Sequence, residues 1–320
     1  MAEGNNKIRT LFMGTPDFSV PCLEKLLSME QLAVVGVVTQ PDKPRGRGKK
    51  LTPSPVKACA WKNGLPVYQP VRIKGDEGFL HQLKEEIAPE LIIVVAFGQI
   101  LPAAVIDLPK YGCINVHASL LPKYRGAAPM QRVLMEGEVV TGVTTMLMDT
   151  GLDTGDMLEK SELAIGEDMT LEELHNALSQ QGAELLETTI RKLLDGTVVR
   201  TKQDDSLSCY AKMIEKDTGA IDWDRSTMEI HNLVRALDPA PGAYTFLEGE
   251  KYKIWRTKPV RGNIEGNMPG EILSADGNGL LVKTGDGIIE ILEVQAPAKK
   301  RMKAVDYLRG HNLALSAKFE

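Results

Sequence analysis

The sequence is poor in cysteine and in any spacing that would put cysteine to use. Its four, Cys22, Cys59, Cys113 and Cys209, are scattered over 320 residues, with no Cys-x-x-Cys and no neighbouring histidine pair. That excludes a zinc site and a stapled secreted fold, and predicts a reducing compartment. No run approaches the ~18 apolar residues of a membrane span. The first six residues, M-A-E-G-N-N, lack the basic start and apolar stretch of a leader peptide, so a cytosolic protein is expected. Phosphate loops are missing too: Gly14-Thr15-Pro16-Asp17 is no G-x-G-x-x-G, and Gly48-Lys49 is followed by lysine rather than Ser or Thr. A bound nucleotide cofactor is therefore not expected. Net positive charge is also absent: the formal charge of -5 excludes coating nucleic acid with the whole surface, so any such contact must be local.

What is present is an alternation of strand and helix. Ile8–Met13, Leu32–Val38, Leu91–Ala96, Cys113–Val116 and Val143–Met148 are short apolar runs, mostly branched, bounded by Gly, Pro and Asp. Such runs read as strands buried on both faces. Ser54-Pro55 opens a helix, and the capping box Thr170-Leu-Glu-Glu173 opens another that Gly196 stops. The order predicts an α/β fold, a doubly wound, mostly parallel Rossmann-like sheet over residues 1–197. Residues 198–217 are polar and weakly patterned, as a linker would be. From residue 218 a capped helix is followed by five short strand-like pieces: Tyr244–Leu247, Lys251–Arg256, Glu271–Leu273, Leu280–Lys283 and Ile288–Val294. Gly-containing turns separate most of these pieces, and a small OB-like β-barrel over 218–320 is expected.

In such a sheet ligands bind beyond the carboxyl ends of the strands. There the sequence offers Cys113-Ile-Asn-Val-His-Ala-Ser-Leu-Leu-Pro122. Alternate side chains of an extended chain share a face, so Asn115 and His117 emerge together while Ile114 and Val116 pack. An amide beside an imidazole suits a carbonyl oxygen that turns negative during nucleophilic addition. Taken alone, His117 reads as an ordinary satisfied histidine of a strand-end turn. Met148-Asp-Thr-Gly-Leu-Asp-Thr-Gly-Asp156, after another predicted strand, changes that reading. Its loop can bring a carboxylate to the imidazole, orient the ring and receive a proton. Ser119 lacks a nucleophile elbow, so the set points to direct transfer of an acyl-type carbon without a covalent intermediate.

These residues resemble the methionyl-tRNA formyltransferase family, a branch of the folate-dependent formyltransferases. The likeness runs along essentially the whole chain, through Gly14-Thr-Pro-Asp-Phe18, Thr39-Gln-Pro-Asp42, Ala96-Phe-Gly-Gln-Ile-Leu-Pro102, the N-x-H-x-S-L-L-P run, Tyr124-Arg-Gly-Ala-Ala-Pro129 and Gly151-Leu-Asp-Thr-Gly155. The resemblance implies transfer of a formyl group from 10-formyltetrahydrofolate, a co-substrate rather than a tightly bound cofactor, to the α-amine of methionyl initiator tRNA. It implies catalytic roles for Asn115, His117 and Asp153. Folate is expected along Phe97, Gly98, Ile100 and Leu101, along Ser119, Leu120, Leu121 and Pro122, and along Met148 and Asp149.

A basic block remains: Lys43, Arg45, Arg47, Lys49 and Lys50 within nine residues of an acidic chain. By itself it is a solvated charge run. Beside the formyltransferase motifs it is expected to hold the acceptor end of tRNA, and Arg47 matches an important arginine of the family. Lys253, Arg256, Lys258 and Arg261, with Tyr252 and Trp255 between them, and Lys299–Lys303 form a second basic set. A monomer is expected. The competing enzyme is a formyltransferase acting on an amino sugar nucleotide, for which the basic block has no use. A formyltetrahydrofolate hydrolase and a glycinamide ribonucleotide formyltransferase follow behind it. An RNA-binding module on an inert scaffold would leave the Asn–His–Asp set without purpose.

Overall fold

Branched aliphatic runs between turn residues build the first sheet. The computed structural model of the protein describes residues 7–45, 50–262, 266–277, 279–315 and 317–320. The chain forms two units that interleave in sequence. The first takes the stretches up to Gly126, Thr141–Leu163 and His175–Tyr210, and the second takes Ala127–Val140, Ala164–Leu174 and Ala211–Glu320.

In chain order the strands are β1 (Ile8–Gly14), β2 (Leu32–Val38), β3 (Lys43–Arg45), β4 (Lys50–Thr52), β5 (Val67–Tyr68), β6 (Leu91–Val95), β7 (Cys113–His117), β8 (Arg125–Gly126), β9 (Val140–Leu147) and β10 (Met157–Ala164). The helices are α1 (Val20–Ser28), α2 (Pro55–Lys62), α3 (Glu77–Gln82), α4 (Ala103–Ile106), α5 (Pro129–Met135) and α6 (Leu171–Leu194). The main sheet has the order β10-β9-β7-β6-β1-β2-β5. Its middle is parallel: β1 lies between β2 and β6, β6 pairs β7, and β2 pairs β5. All five residues of β6 and of β7 are buried: β6 is apolar throughout, whereas β7 buries the polar Asn115 and His117 with its apolar residues.

Two strands depart from the expected pattern. The run at 143–148 lies in β9 up to Leu147, and β9 is antiparallel to β7, with Ile114 opposite Leu147 and His117 opposite Thr144. Strand β10 escaped the apolar-run criterion because it is an edge strand, exposed at alternate residues from Lys160 onward. The helix starts follow their caps. Ser54 Oγ accepts the Lys57 N–H at 3.0 Å, and Thr170 and Glu173 close a reciprocal box at 3.3 and 2.8 Å.

The second unit adds α7 (Thr227–Ala236), α8 (Ala304–Leu308) and the strands that follow β11 (Tyr210–Ala211): β12 (Ala243–Leu247), β13 (Glu250–Val260), β14 (Ile272–Asp276), β15 (Gly279–Lys283), β16 (Ile288–Gln295) and β17 (Met302–Lys303). Their order is β12-β13-β16-β15-β14, with β17 on β16 and antiparallel pairing throughout. The last residues join the two ends of this sheet. Phe246 and Glu320 exchange backbone hydrogen bonds at 3.0 and 2.8 Å, while Ile272 N donates to Ala317 O at 2.9 Å. The result is the small barrel-like domain expected from the five strand signals.

Beside the boundary expected at 198–217, contacts tie the 127–140 and 164–174 stretches to the second unit, for identifiable reasons. Helix α5 packs on α7. The 164–174 stretch is held by side chains of α7: His231 Nε2 meets Glu167 O at 3.2 Å, and Arg235 Nη1 donates to Gly166 O at 3.3 Å and to Met169 O at 3.1 Å. Within the first unit, Thr201 pairs with Met157 through backbone bonds of 2.8 and 2.9 Å. Among the described residues no helix is long and apolar enough to cross a membrane, and no group of His, Cys, Asp or Glu is placed to hold a metal.

Candidate active site

Strand β7 carries the amide and the imidazole because its pleat puts residues 115 and 117 on one face. Asn115 and His117 are 9% and 6% exposed, while Ile114 and Val116 are sealed into packing on the other side. His117 Nε2 lies 3.0 Å from Tyr124 O. A carbonyl only accepts, so Nε2 carries the hydrogen of that bond and Nδ1 is left for chemistry. Nδ1 faces Asp153 Oδ2 at 3.7 Å, outside direct hydrogen-bond length. The same Oδ2 accepts the Gly126 N–H at 2.8 Å. The structure thus brings the imidazole and the carboxylate of the sequence-predicted set together.

The carboxylate arrives by a route that strand order does not suggest. Because β9 is antiparallel to β7, the loop after it starts beside the amino end of β7, where Met148 N donates to Cys113 O at 2.8 Å. It must return along β7 to reach His117. Asp149 begins the return by accepting from Gly151 N at 3.0 Å and Thr154 Oγ1 at 2.7 Å, a local Asx-type turn. Asp153 then adopts φ +53°, a left-handed conformation uncommon outside glycine. The turn also needs Gly155, whose added Cβ would sit 1.8 Å from Leu147 O. Two side-chain N–H bonds complete the clasp: Gln203 Nε2 donates to Asp153 O and to Gly155 O, each at 2.8 Å.

The residues expected along folate lie on three loops. After β6, Phe97 and Leu101 are core residues, 2% and 4% exposed, whereas Ile100 is 77% exposed. Gly98 has φ +82°, and the Phe97 carbonyl is held by Thr15 Oγ1 at 3.1 Å and Gln40 Nε2 at 3.3 Å. After β7, Ser119 and Leu121 are fully buried, with Leu120 and Pro122 half-buried. Ser119 Oγ donates to Lys123 O at 2.7 Å, so it supports the loop rather than serving as a nucleophile. Thr144 Oγ1 links this loop to β9, donating to Ser119 O at 2.7 Å and accepting from Leu121 N at 3.1 Å. On the third loop Met148 packs into the core of the first unit, and Asp149 is committed to its own turn.

Of the basic block, Arg47 and Lys49 lie outside the described residues. Lys43–Arg45 and Lys50–Thr52 pair as an antiparallel ribbon, with Lys43 opposite Thr52 and Arg45 opposite Lys50. Its base is anchored by Asp42, which accepts from the largely buried Lys57 Nζ at 2.7 Å and from Gln69 Nε2 at 2.9 Å. The Lys57 and Gln69 hydrogen bonds hold the Asp42 carboxyl below the usual carboxylate range. In the second unit, Arg256 and Lys258 are exposed on β13. Trp255 is only 8% exposed, and the Lys253 ammonium and the Arg301 guanidinium each lie 5.1 Å from its ring centroid. Arg301 is also bound to Asp238 at 2.6 and 3.0 Å and to Glu293 at 2.5 Å, so it braces the barrel.

An amide, an imidazole and a carboxylate stand around β7 of an α/β unit, with the nearby serine hydroxyl committed to a carbonyl, an arrangement that can serve direct acyl-type transfer. The chain belongs to the formyl transferase family and, within it, to the methionyl-tRNA formyltransferases. The family model described as formyl transferase matches residues 6–190, and the formyl transferase C-terminal domain matches residues 213–312. The chain is 51% identical to the methionyl-tRNA formyltransferase of Ruminiclostridium cellulolyticum, over 96% of this chain and 97% of that protein. To the methionyl-tRNA formyltransferase of Geobacter sulfurreducens it is 50% identical, over 96% and 95% of the two chains. Among solved structures, an N-formyltransferase from Helicobacter canadensis, in complex with folinic acid and dTDP-3-aminofucose, shares the fold. Its TM-score is 0.67 at 21% identity, over 91% of this chain and 100% of that one.

Proposed function

We propose that the protein takes the formyl group of 10-formyltetrahydrofolate and places it on the α-amine of methionine esterified to initiator tRNA. The observation that carries the chemistry is the His117–Asp153 pair beside Asn115 on the same strand. The amine nitrogen attacks the formyl carbon, and the carbonyl π pair moves to oxygen. Asn115 donates to that oxyanion, and His117 donates to it from Nδ1 once protonated, with the Asp153 carboxylate compensating the ring charge. Asp153 takes the proton lost by the amine, through the ring or a water. The carbon–N10 bond then breaks and the proton held by Asp153 is passed on to N10, so the site returns to its starting state and the overall exchange is one formyl group for one hydrogen.

The co-substrate is assigned to the loops after β6, β7 and β9. The fit rests on exposed apolar side chains, Ile100 and Leu152, carried on these loops, and on loop backbone pinned at Phe97 and Leu121. Such a surface takes an aromatic heterocycle on its faces and edges. Catalysis belongs to the first unit. The β3–β4 ribbon with Arg47 and the exposed cations of β13 supply tRNA contacts. We assign the protein to the cytosol as a monomer.

The experiment is transfer of labelled formyl from 10-formyltetrahydrofolate with Met-tRNA, free methionine and a 4-amino sugar nucleotide offered in parallel. Label on Met-tRNA alone is expected. Label on the sugar, or formate released without an acceptor, would overturn the tRNA assignment and keep the Asn–His–Asp chemistry.

A further inference from the structure

The polar stretch read from sequence as a linker contains a side chain that reaches the centre of the site. Gln203 uses its whole amide. Both N–H groups of Nε2 are donated to the carboxylate loop, one to Asp153 O and one to Gly155 O, each at 2.8 Å. Its Oε1 accepts Arg125 Nε at 2.9 Å, and Arg125 Nη2 donates to Asp205 Oδ1 at 2.8 Å. The orientation of the amide is fixed by its partners: turned over, it would set an oxygen against two carbonyls and an NH2 against a guanidinium.

The clasp closes a ring around Asp153. Arg125 orients Gln203, which holds the Asp153 main chain. The next residue, Gly126, donates its N–H to the Asp153 carboxylate, whose Oδ2 faces His117 Nδ1. Restraint matters at Asp153 because its φ of +53° is a sparsely populated left-handed conformation for a non-glycine residue, one that a surrounding hydrogen-bond clasp helps to hold. We propose that Gln203 is a positioning residue for the formyl transfer, setting Asp153 against His117 without touching substrate. The inference rests on the function proposed above.

Substitution by glutamate separates this role from simple bracing. A glutamate at 203 would bind Arg125 more strongly, yet it would press a carboxylate oxygen against the two loop carbonyls. Methionine keeps the length and removes both polar roles. Gln203→Glu and Gln203→Met, made in the full chain, are expected to lower kcat by roughly 10- to 100-fold, the scale of a misplaced catalytic group. The KM for Met-tRNA and for 10-formyltetrahydrofolate should stay within about twofold, as for a residue acting only on transition-state geometry. Because Gln203 acts through Asp153, the double variant Asp153→Asn/Gln203→Met should be no slower than Asp153→Asn. Hydrogen exchange reads the same clasp without any acceptor: the Gly126 amide should exchange faster in Gln203→Met while the amides of α6 keep their protection. Wild-type kcat in Gln203→Glu, multiplying losses in the double variant, or an unchanged Gly126 amide would overturn the assignment. A wild-type chain that fails to formylate Met-tRNA would instead count against the function proposed above, and the exchange result would stand by itself.

Discussion

Gly126 and Asp153 are joined by a backbone N–H to carboxylate hydrogen bond of 2.8 Å, made to the same oxygen that faces His117 Nδ1 at 3.7 Å. One lone pair of that oxygen is spent on holding the side chain still, and another is available to the ring or to a water between them. The arrangement makes Asp153→Asn informative, because it keeps the size of the side chain and removes its charge. We expect kcat to fall by about 10²–10⁴-fold, the range of a lost general acid–base partner, with little change in the KM for Met-tRNA. Single-turnover formyl transfer checks this, and an unaltered rate would remove Asp153 from the proton path.

Asn115→Ala tests the other half of the chemistry. The amide is nine-tenths buried on β7, and if it serves the oxyanion as proposed, truncation removes one donor from the developing charge. A loss of roughly 10²–10³ in kcat is expected, with tRNA affinity retained. A filter-binding constant for Met-tRNA that fell as far as kcat would mean that Asn115 supports the strand rather than the transition state.

Much of this site was legible because it is local. The Asn115–His117 alternation needs only the period of a strand, and the boundaries of β1, β2, β6 and β7 follow apolar runs that end at turn residues. The capping boxes at Thr170 and Ser226 likewise announce the helices they start. What escaped is non-local. Nothing within a window around Gln203 marks it, since its two acceptors lie 48 and 50 residues away. The antiparallel direction of β9 is equally silent, because a buried run looks the same in either direction. Strand β10 was hidden by its polar alternate residues. The joining of 164–174 to the second unit depends on His231 and Arg235, whose roles appear only once α7 is folded.

The basic ribbon yields a salt-dependent prediction. If Arg47 and Lys43 neutralise phosphates at the acceptor end, Arg47→Ala should weaken the use of Met-tRNA and leave the KM for 10-formyltetrahydrofolate unchanged. The logarithm of kcat/KM for Met-tRNA against the logarithm of salt concentration should become shallower by about one for each phosphate contact removed. An unchanged slope at near-physiological salt would withdraw the role assigned to the block.

Closure of the barrel by residues 317–320 makes Phe319 a structural keystone of the second unit. It is 1% exposed and stacks on Trp223 at a centroid distance of 5.7 Å. Phe319→Ala removes a fully buried aromatic and leaves a cavity, which costs about 3–5 kcal/mol. Urea unfolding should show that loss in the second unit. A change below about 1 kcal/mol would mean that the neighbouring side chains collapse into the space.

His231 sets an acid limit on the same unit. Its ring is 4% exposed, with Nδ1 3.0 Å from Thr257 Oγ1 and Nε2 3.2 Å from Glu167 O. Burial pushes its pKa below the ordinary 6.5, and the neighbouring Arg235 pushes the same way. The Glu167 carbonyl, the Asp168 carboxylate at 3.4 Å and Thr257 pull it back without cancelling the shift. In the unfolded chain this histidine binds a proton as pH falls through about 6.5, while the folded ring still resists. The unfolded state therefore holds more protons in that window, and stability falls as pH drops from 6.5 towards the folded value. Above 6.5 the group makes no pH-dependent contribution. Glutamine at 231 keeps an amide for the same partners and cannot titrate, so the difference in unfolding free energy between wild type and His231→Gln should change with pH below about 6.5. Glu173 and Asp286, held below their usual range by hydrogen bonds from Thr170 and Thr227, also lose stability on acidification, but they do so in both proteins and cancel in the difference. Urea titrations between about pH 8 and pH 5 give the measurement. Curves that stay parallel down to the lower limit would show that the ring keeps its ordinary affinity for the proton despite its burial.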